Sequence, residues 1–293
     1  MARVHPRILA LDSLRIFLLE AGEDADRLPL LILHGFASSA LAWTGIIEAL
    51  GTDRHVLAYD RPGFGLTVTT APRWQGLDPY APDSQVLIQL ELLERLGIHR
   101  CVVLGHSMGG RLAYELAAAR SERVAGLILV APAWGRPSAP WLARLFRRRA
   151  IGLVGRALLR TTSPLALRLG QRLAWASSPP RDIADGGVVA VSIPGWEERL
   201  WRVTCATLAT PKTPLPALPR PIPTLMILGE RDRIVPNAVT RELTAVWRVR
   251  GAPLQVVTFE RSGHLPHLEE TSRFVETVKT FLEEVENGTT LPR

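Results

Sequence analysis

The chain has 293 residues, 47% hydrophobic and 22% charged, a balance that supports a sizeable buried core and excludes a disordered or fibrous protein. Its net charge of +7 comes almost wholly from arginine, because Lys212 and Lys279 are the only lysines. No run of about 18 uncharged apolar residues occurs, so no membrane span is expected. After Met-Ala-Arg-Val-His-Pro-Arg, an apolar stretch is broken by Asp12, Arg15 and Glu20. It reads as strands rather than a leader peptide, and the chain is expected to be cytoplasmic. Cys101 and Cys205 make no disulfide framework and no metal spacing, and read as reduced, buried thiols.

Ile8–Leu11 and Ile16–Leu19, with Asp12 and Ser13 between them, suit a leading antiparallel hairpin. Leu30–Leu33 and His55–Tyr59 are continuous apolar runs, the pattern of parallel strands covered on both faces. Ser84 to Leu96 puts Val86, Leu87, Leu90, Leu93 and Leu96 on one helical face. Strand Val102–Leu104, helix Leu112–Ala119 and strand Leu127–Val130 follow. Strands Thr224–Leu228 and Gln255–Phe259 and helix Phe274–Val285 come last, before a tail, Asn287–Arg293, expected to fray. Such alternation implies a doubly wound sheet. It stops between Gly135 and Pro221, where helical patterns lack matching strands and the chain returns through a stiff, proline-rich stretch, Pro211–Pro223. Residues 1–134 and 222–293 therefore read as a core domain, and 135–221 as a helical cap inserted between its sixth and seventh strands.

The strand Val102–Leu104 runs into Gly105-His106-Ser107-Met108-Gly109-Gly110 and then a helix, which is G-x-S-x-G in its required setting. Side chains at Gly105 or Gly109 would collide with neighbouring backbone. The turn lifts the Ser107 hydroxyl above the strand ends, and the following helix points its N-terminus at the site. A serine needs a base to take its proton. His264 follows the last strand, while His267 is expected to enter the final helix and His106 stands too close to Ser107 to reach its hydroxyl. The imidazole needs an orienting acid, and Asp232 lies just past Thr224–Leu228, with Glu230 or a plain acidic turn as alternatives. Past Leu30–Leu33 comes His34-Gly35-Phe36, whose Phe36 N–H can join that of Met108 as an oxyanion hole. His34 reads as a residue that holds this loop.

These elements together resemble the α/β-hydrolase superfamily over nearly the whole chain, from Leu30–Leu33 to the final helix. They include the turn Asp60-Arg61-Pro62-Gly63-Phe64-Gly65. The resemblance implies an α/β-hydrolase fold: a mostly parallel eight-stranded sheet flanked by helices, with an inserted helical cap. It implies a triad of Ser107, Asp232 and His264. Some relatives carry the acid after the sixth strand, but Ala131-Pro132-Ala133 stands there, which favours Asp232. Members with dehalogenase or epoxide hydrolase activity place Asp at the nucleophile, so serine argues for ester chemistry. Gly-His-Ser-Met-Gly-Gly looks like carboxylesterases and monoacylglycerol lipases. The expectation is a serine esterase for small or medium apolar acyl groups, without cofactor or metal. Carbon–carbon bond hydrolases of meta-cleavage type share Ser-Met-Gly-Gly and Pro-Gly-Phe-Gly, but many carry Asn for His106 and Trp for Leu265. That reading is the alternative, beside a non-enzymatic ligand receptor on the same fold.

The cap is expected to set specificity. Trp134, Trp141, Trp175, Trp196 and Trp201 cluster in or beside it; Gly35, Trp134, Trp196 and Trp201 are the expected substrate contacts, with Met108 and Phe36 as further wall. Between Arg123 and Arg181 there are eleven arginines and no Asp or Glu. This reads either as a solvated face or as a cap that approaches an anionic lipid surface, an acidic carrier protein or a carboxylate substrate. No motif supports nucleic-acid binding.

Overall fold

β1 (His5–Leu11) and β2 (Leu14–Ala21) form the antiparallel hairpin, in register from His5 opposite Glu20 to Leu11 opposite Leu14. The computed structural model describes residues 1–23, 26–135, 138–179, 193–211, 214–238 and 253–288, together with 240, 241, 244 and 247. Arg136, Arg181, Lys212 of the proline-rich return and tail positions 289–293 lie outside the described residues. β3 (Leu30–Leu33) and β4 (Val56–Tyr59) follow, then a two-residue strand, β5 (Val68–Thr69), that pairs with β2. β6 (Cys101–His106), β7 (Val124–Val130), β8 (Thr224–Gly229) and β9 (Leu254–Phe259) complete the sheet.

The strand order is β1-β2-β4-β3-β6-β7-β8-β9 with β5 beside β2, so the expected eight strands are joined by a ninth. All pairs from β4 to β9 are parallel. β3 and β6 are neighbours, and the chain winds away from them in opposite directions. That is a topological switch point, where a crevice opens beyond the carboxyl ends of the strands. The loops after β3 and β6 meet there.

Alternate strand residues sort into two cores. Leu31, Val103 and Leu129 face α2 (Pro82–Arg95) and α3 (Met108–Ala119) through Ile88, Leu92, Leu112 and Leu116. Ile32, Leu104 and Ile128 face the other layer, where α1 (Thr44–Leu50) contributes Ile46 and Ile47 and the final helix contributes Phe274 and Phe281. This period of two follows from the pleat. Cys101 and Cys205 are free and buried, and burial pushes the Cys101 thiol up to about 12.

Between β7 and β8 lie α4 (Pro140–Phe146), α5 (Arg149–Ala174) and α6 (Trp196–Ala209). Because β5 adds a strand, this segment follows the seventh strand, not the sixth. A third, small cluster joins α6 to the body: Val203 and Ala206 pack with Phe64, Tyr80 and Met108. Val203 comes so close that a Cβ on Gly63 would stand 2.2 Å from it. After β9, α7 (Pro266–Glu269) is a one-turn helix separate from the final α8 (Thr271–Glu286), with Glu270 at φ −131°, ψ 53° between them. His267 thus lies in α7 rather than in the final helix. Among the described residues, no helix is long and apolar enough to cross a membrane.

Candidate active site

Ser107 joins β6 to α3 with φ 53° and ψ −117°, a conformation that L-residues rarely adopt. Its surroundings over-determine that strain. The Ser107 N–H donates to the Val130 carbonyl at 2.9 Å, and its own carbonyl accepts from Gly110 and Ala133, both at 3.0 Å. A Cβ at Gly105 would stand 2.3 Å from the Gly109 carbonyl oxygen, and one at Gly109 2.2 Å from that of Leu33. Only glycine lets β6, α3 and the end of β3 approach so closely. Met108 opens α3, so its N–H is one that a helix leaves without an internal acceptor.

The loop after β3 lies against this turn: a Cβ on Gly35 would be 3.3 Å from Ser107 Cβ and 2.9 Å from His106 Nδ1. The Gly35 carbonyl accepts two hydrogen bonds, from His34 Nδ1 at 2.8 Å and from Arg61 Nη2 at 3.0 Å. The Arg61 N–H donates to His34 Nε2 at 3.1 Å, which fixes His34 as the Nδ1–H tautomer. Burial, then the Arg61 charge, holds the His34 pKa well below the usual histidine range, so the ring is neutral. The peptide unit is planar and trans, so the Phe36 N–H points opposite to the pinned Gly35 carbonyl. The Phe36 ring is half exposed and meets Phe64 edge-on, with centroids 5.7 Å apart. Asp60 anchors the neighbouring turn by accepting the Ala40 N–H at 2.7 Å and the Leu66 N–H at 2.6 Å. A Cβ on Gly65 would fall 1.9 Å from the Asp60 carboxylate.

Beyond β8, Asp232 Oδ2 lies 2.7 Å from His264 Nδ1, while Oδ1 accepts the N–H groups of Ile234 and Val235 at 2.8 and 2.9 Å. Both carboxylate oxygens are thereby oriented, and the imidazole carries its proton on Nδ1 with Nε2 left as the basic atom. Glu230, the other acid in this loop, instead pairs with Arg241 at the surface. His106 Nε2 donates to the His264 carbonyl at 2.8 Å, and burial lowers the His106 pKa to about 3. The His264 N–H donates to the Ala174 carbonyl at 2.6 Å, at the end of α5. Glu269 bridges the same junction, accepting from the Gly263 N–H and the Ala176 N–H, both at 2.7 Å. His267 stacks on Trp43, with centroids 4.1 Å apart and planes within 2°.

Three buried imidazoles, His34, His106 and His267, have lowered pKa values, chiefly from burial. The unfolded chain protonates them below about pH 6.5 and the folded chain does not. Their stabilisation is complete above that pH and is lost as acid lowers pH toward the folded values. Asp60 runs the other way, because burial raises it to about 6 and the fold takes up that proton first. Three imidazoles gain protons on unfolding against the one that Asp60 releases, so unfolding free energy should fall as pH drops from 7 to 5. Urea midpoints measured from pH 7 down to pH 5 check this, and flat midpoints would contradict it.

Two of the five tryptophans, Trp134 and Trp201, serve packing. Trp134 is buried against Tyr114 and Trp247, with centroids at 5.8 and 5.5 Å, and Arg111 donates to its carbonyl. Trp201 lies against Phe146 at 4.9 Å and so near α5 that a Cβ on Gly155 would sit 2.2 Å from its ring. Trp196 opens α6, Trp141 is largely exposed, and Trp175 is buried. The structure brings Gly35, Phe36 and Met108 around Ser107, but none of these tryptophans lines the enclosed cavity beside Met108. That cavity, about 50 Å³, is walled by Phe64, Tyr80, Leu112 and Val203, with Arg61 and Arg111. The sequence reading missed the grip of Arg61 on the Gly35 carbonyl. Its only signal was that Arg61 belongs to the Asp60–Gly65 turn. Glu269 carried no signal.

The model of the alpha/beta hydrolase family matches residues 30–277. RutD of Pseudomonas savastanoi pv. phaseolicola (strain 1448A / Race 6), named as a carbamate hydrolase, is 28% identical over 261 residues, which cover 87% of this chain and 93% of that protein. ABHD5 of Rattus norvegicus, named as a 1-acylglycerol-3-phosphate O-acyltransferase, is 35% identical over 160 residues, 51% of this chain and 44% of that protein. The solved structure of 2-hydroxy-6-oxo-6-phenylhexa-2,4-dienoate hydrolase from Rhodococcus sp. strain RHA1 superposes with a TM-score of 0.72 at 22% identity. It covers 97% of this chain and 100% of that one, a likeness of fold.

Proposed function

The chain belongs to the alpha/beta hydrolase family, and on that premise we propose that it is a serine hydrolase of carboxylic esters. The observation that carries this reading is the Asp232–His264 hydrogen bond of 2.7 Å at the strand ends where Ser107 is held in its strained turn. Ser107 attacks the ester carbonyl while His264 Nε2 takes its proton. Asp232 keeps the imidazole in the Nδ1–H tautomer and stabilises the imidazolium. The N–H groups of Phe36 and Met108 receive the oxyanion. His264 then protonates the leaving alcohol, and water repeats the cycle on the acyl-enzyme.

Residues 135–221 act as the cap, with α6 forming the roof. The apolar cavity beside Met108 takes the acyl group, and its 50 Å³ favours short chains. A series of p-nitrophenyl esters from acetate to palmitate tests this reading. Turnover should be highest for the shortest acyl groups. Absence of turnover across the series would overturn ester hydrolysis, and a preference for palmitate would overturn the cavity assignment. An aryl carbamate in the same panel asks whether the activity named for RutD extends to this chain.

Arg61 is assigned a positioning role through the Gly35 peptide. Without its charge-assisted hydrogen bond, that peptide can rotate and turn the Phe36 N–H away. Arg61→Met should lower kcat by about 10²-fold, the loss of one oxyanion donor, with KM little changed. An unchanged kcat in a folded variant would remove Arg61 from the mechanism.

A further inference from the structure

Helix α5 carries an outer face that the fold leaves uncovered. Val154, Leu158, Leu165 and Leu169 are between 56% and 74% exposed. At about 100° per residue they fall within about 60° of one another, as a single stripe down the helix. Leu173 widens it by about 40°, and α4 adds the exposed indole of Trp141.

The charge around this stripe has one sign. Arg144, Arg148, Arg149, Arg160, Arg168 and Arg172 are all exposed. Among the described residues none of these six pairs with a carboxylate; in α4 and α5 and the turn between them only Arg147 and Arg156 do, with Asp78 at 3.9 Å and Glu198 at 2.9 Å. An apolar stripe with unpaired guanidiniums along one flank and at its C-terminal end, and an exposed Trp, is what a helix needs to lie in the headgroup region of a bilayer. A second copy of this chain is a poor occupant, because a two-fold contact would set the same arginines against one another.

We propose that the outer face of α4 and α5 docks on an anionic lipid bilayer. The leucines enter the acyl boundary and the arginines hold the phosphate groups. This does not rest on the ester-hydrolase reading, because its readout is binding.

Flotation of the full chain with vesicles tests it. One set is pure phosphatidylcholine, the other an equimolar mixture of phosphatidylcholine and phosphatidylglycerol. The chain should float with the mixed vesicles, less so as salt rises, and hardly at all with the pure ones. The triple variant R160Q/R168Q/R172Q should partition about 100-fold more weakly, at the worth of an arginine near a charged surface. Leu158→Glu with Leu165→Glu should abolish flotation. Both variants change solvent-facing positions and should melt at the wild-type temperature, which keeps misfolding apart from lost docking. No flotation with mixed vesicles at low salt, or flotation indifferent to both variants, would overturn the proposal. So would a solution dimer that L158E/L165E dissociates, or tighter binding to polyglutamate than to the mixed vesicles. These would assign the face to a second copy or to an acidic protein.

Discussion

With serine and histidine acting as a unit in the proposed ester hydrolysis, Ser107→Ala should lower turnover by about 10⁶-fold and leave the fold intact. The substitution removes one oxygen. Alanine meets the φ of 53° with the same Cβ that serine already places there, and the hydrogen bonds holding the turn are all backbone. The glycine contacts, the Gly35 loop and the Asp232–His264 pair are untouched. The mutant should melt with wild type and no longer react with a fluorophosphonate probe. Purified mutant retaining turnover within about tenfold of wild type would show that another group carries the chemistry.

Asp232→Asn should cost about 10⁴-fold in kcat, and more than geometry alone would indicate. The carboxylate accepts three N–H groups, from Ile234, Val235 and His264. An asparagine that keeps its oxygen on the two backbone groups turns its NH₂ toward His264 Nδ1. The imidazole then prefers Nε2–H, and the atom meant to take the serine proton already holds one. Raising pH does not restore this tautomer. A kcat that recovers at high pH would show that Asp232 acts by charge alone. Glu230→Gln is the control and should change kcat little, since Glu230 pairs with Arg241 at the surface.

Much of this was legible in the sequence, for identifiable reasons. β3, β4 and β6 to β8 are buried along their whole length, and strands covered on both faces show as continuous apolar runs. Ser107, Asp232, His264 and the Gly35 loop each follow a strand end, and strand ends were the features easiest to read. β5 escaped because two residues, Val68 and Thr69, make no pattern. Apart from Met108, the wall of the cavity escaped because it is assembled from five separated segments, around Arg61, Tyr80, Met108, Ala133 and Val203. Tryptophan is a large apolar side chain of the kind that can wall a substrate pocket. Size, however, is equally what fills the joint between helices, and Trp201 is used against Gly155 in that way.

The junction of Ala174, Ala176, Gly263 and Glu269 ties the loop of the candidate base to the end of α5. A Cβ on Gly263 would stand 2.4 Å from the Ala174 carbonyl, so the two backbones leave no slack. Helix and imidazole therefore form one mechanical body. Whatever displaces the end of α5 must displace His264 with it, and a ligand that fixes His264 must restrain α5. Thermodynamic linkage makes the effect mutual: if docking at the outer face changes the affinity for a boronate at Ser107, the boronate changes the affinity for the surface by the same factor.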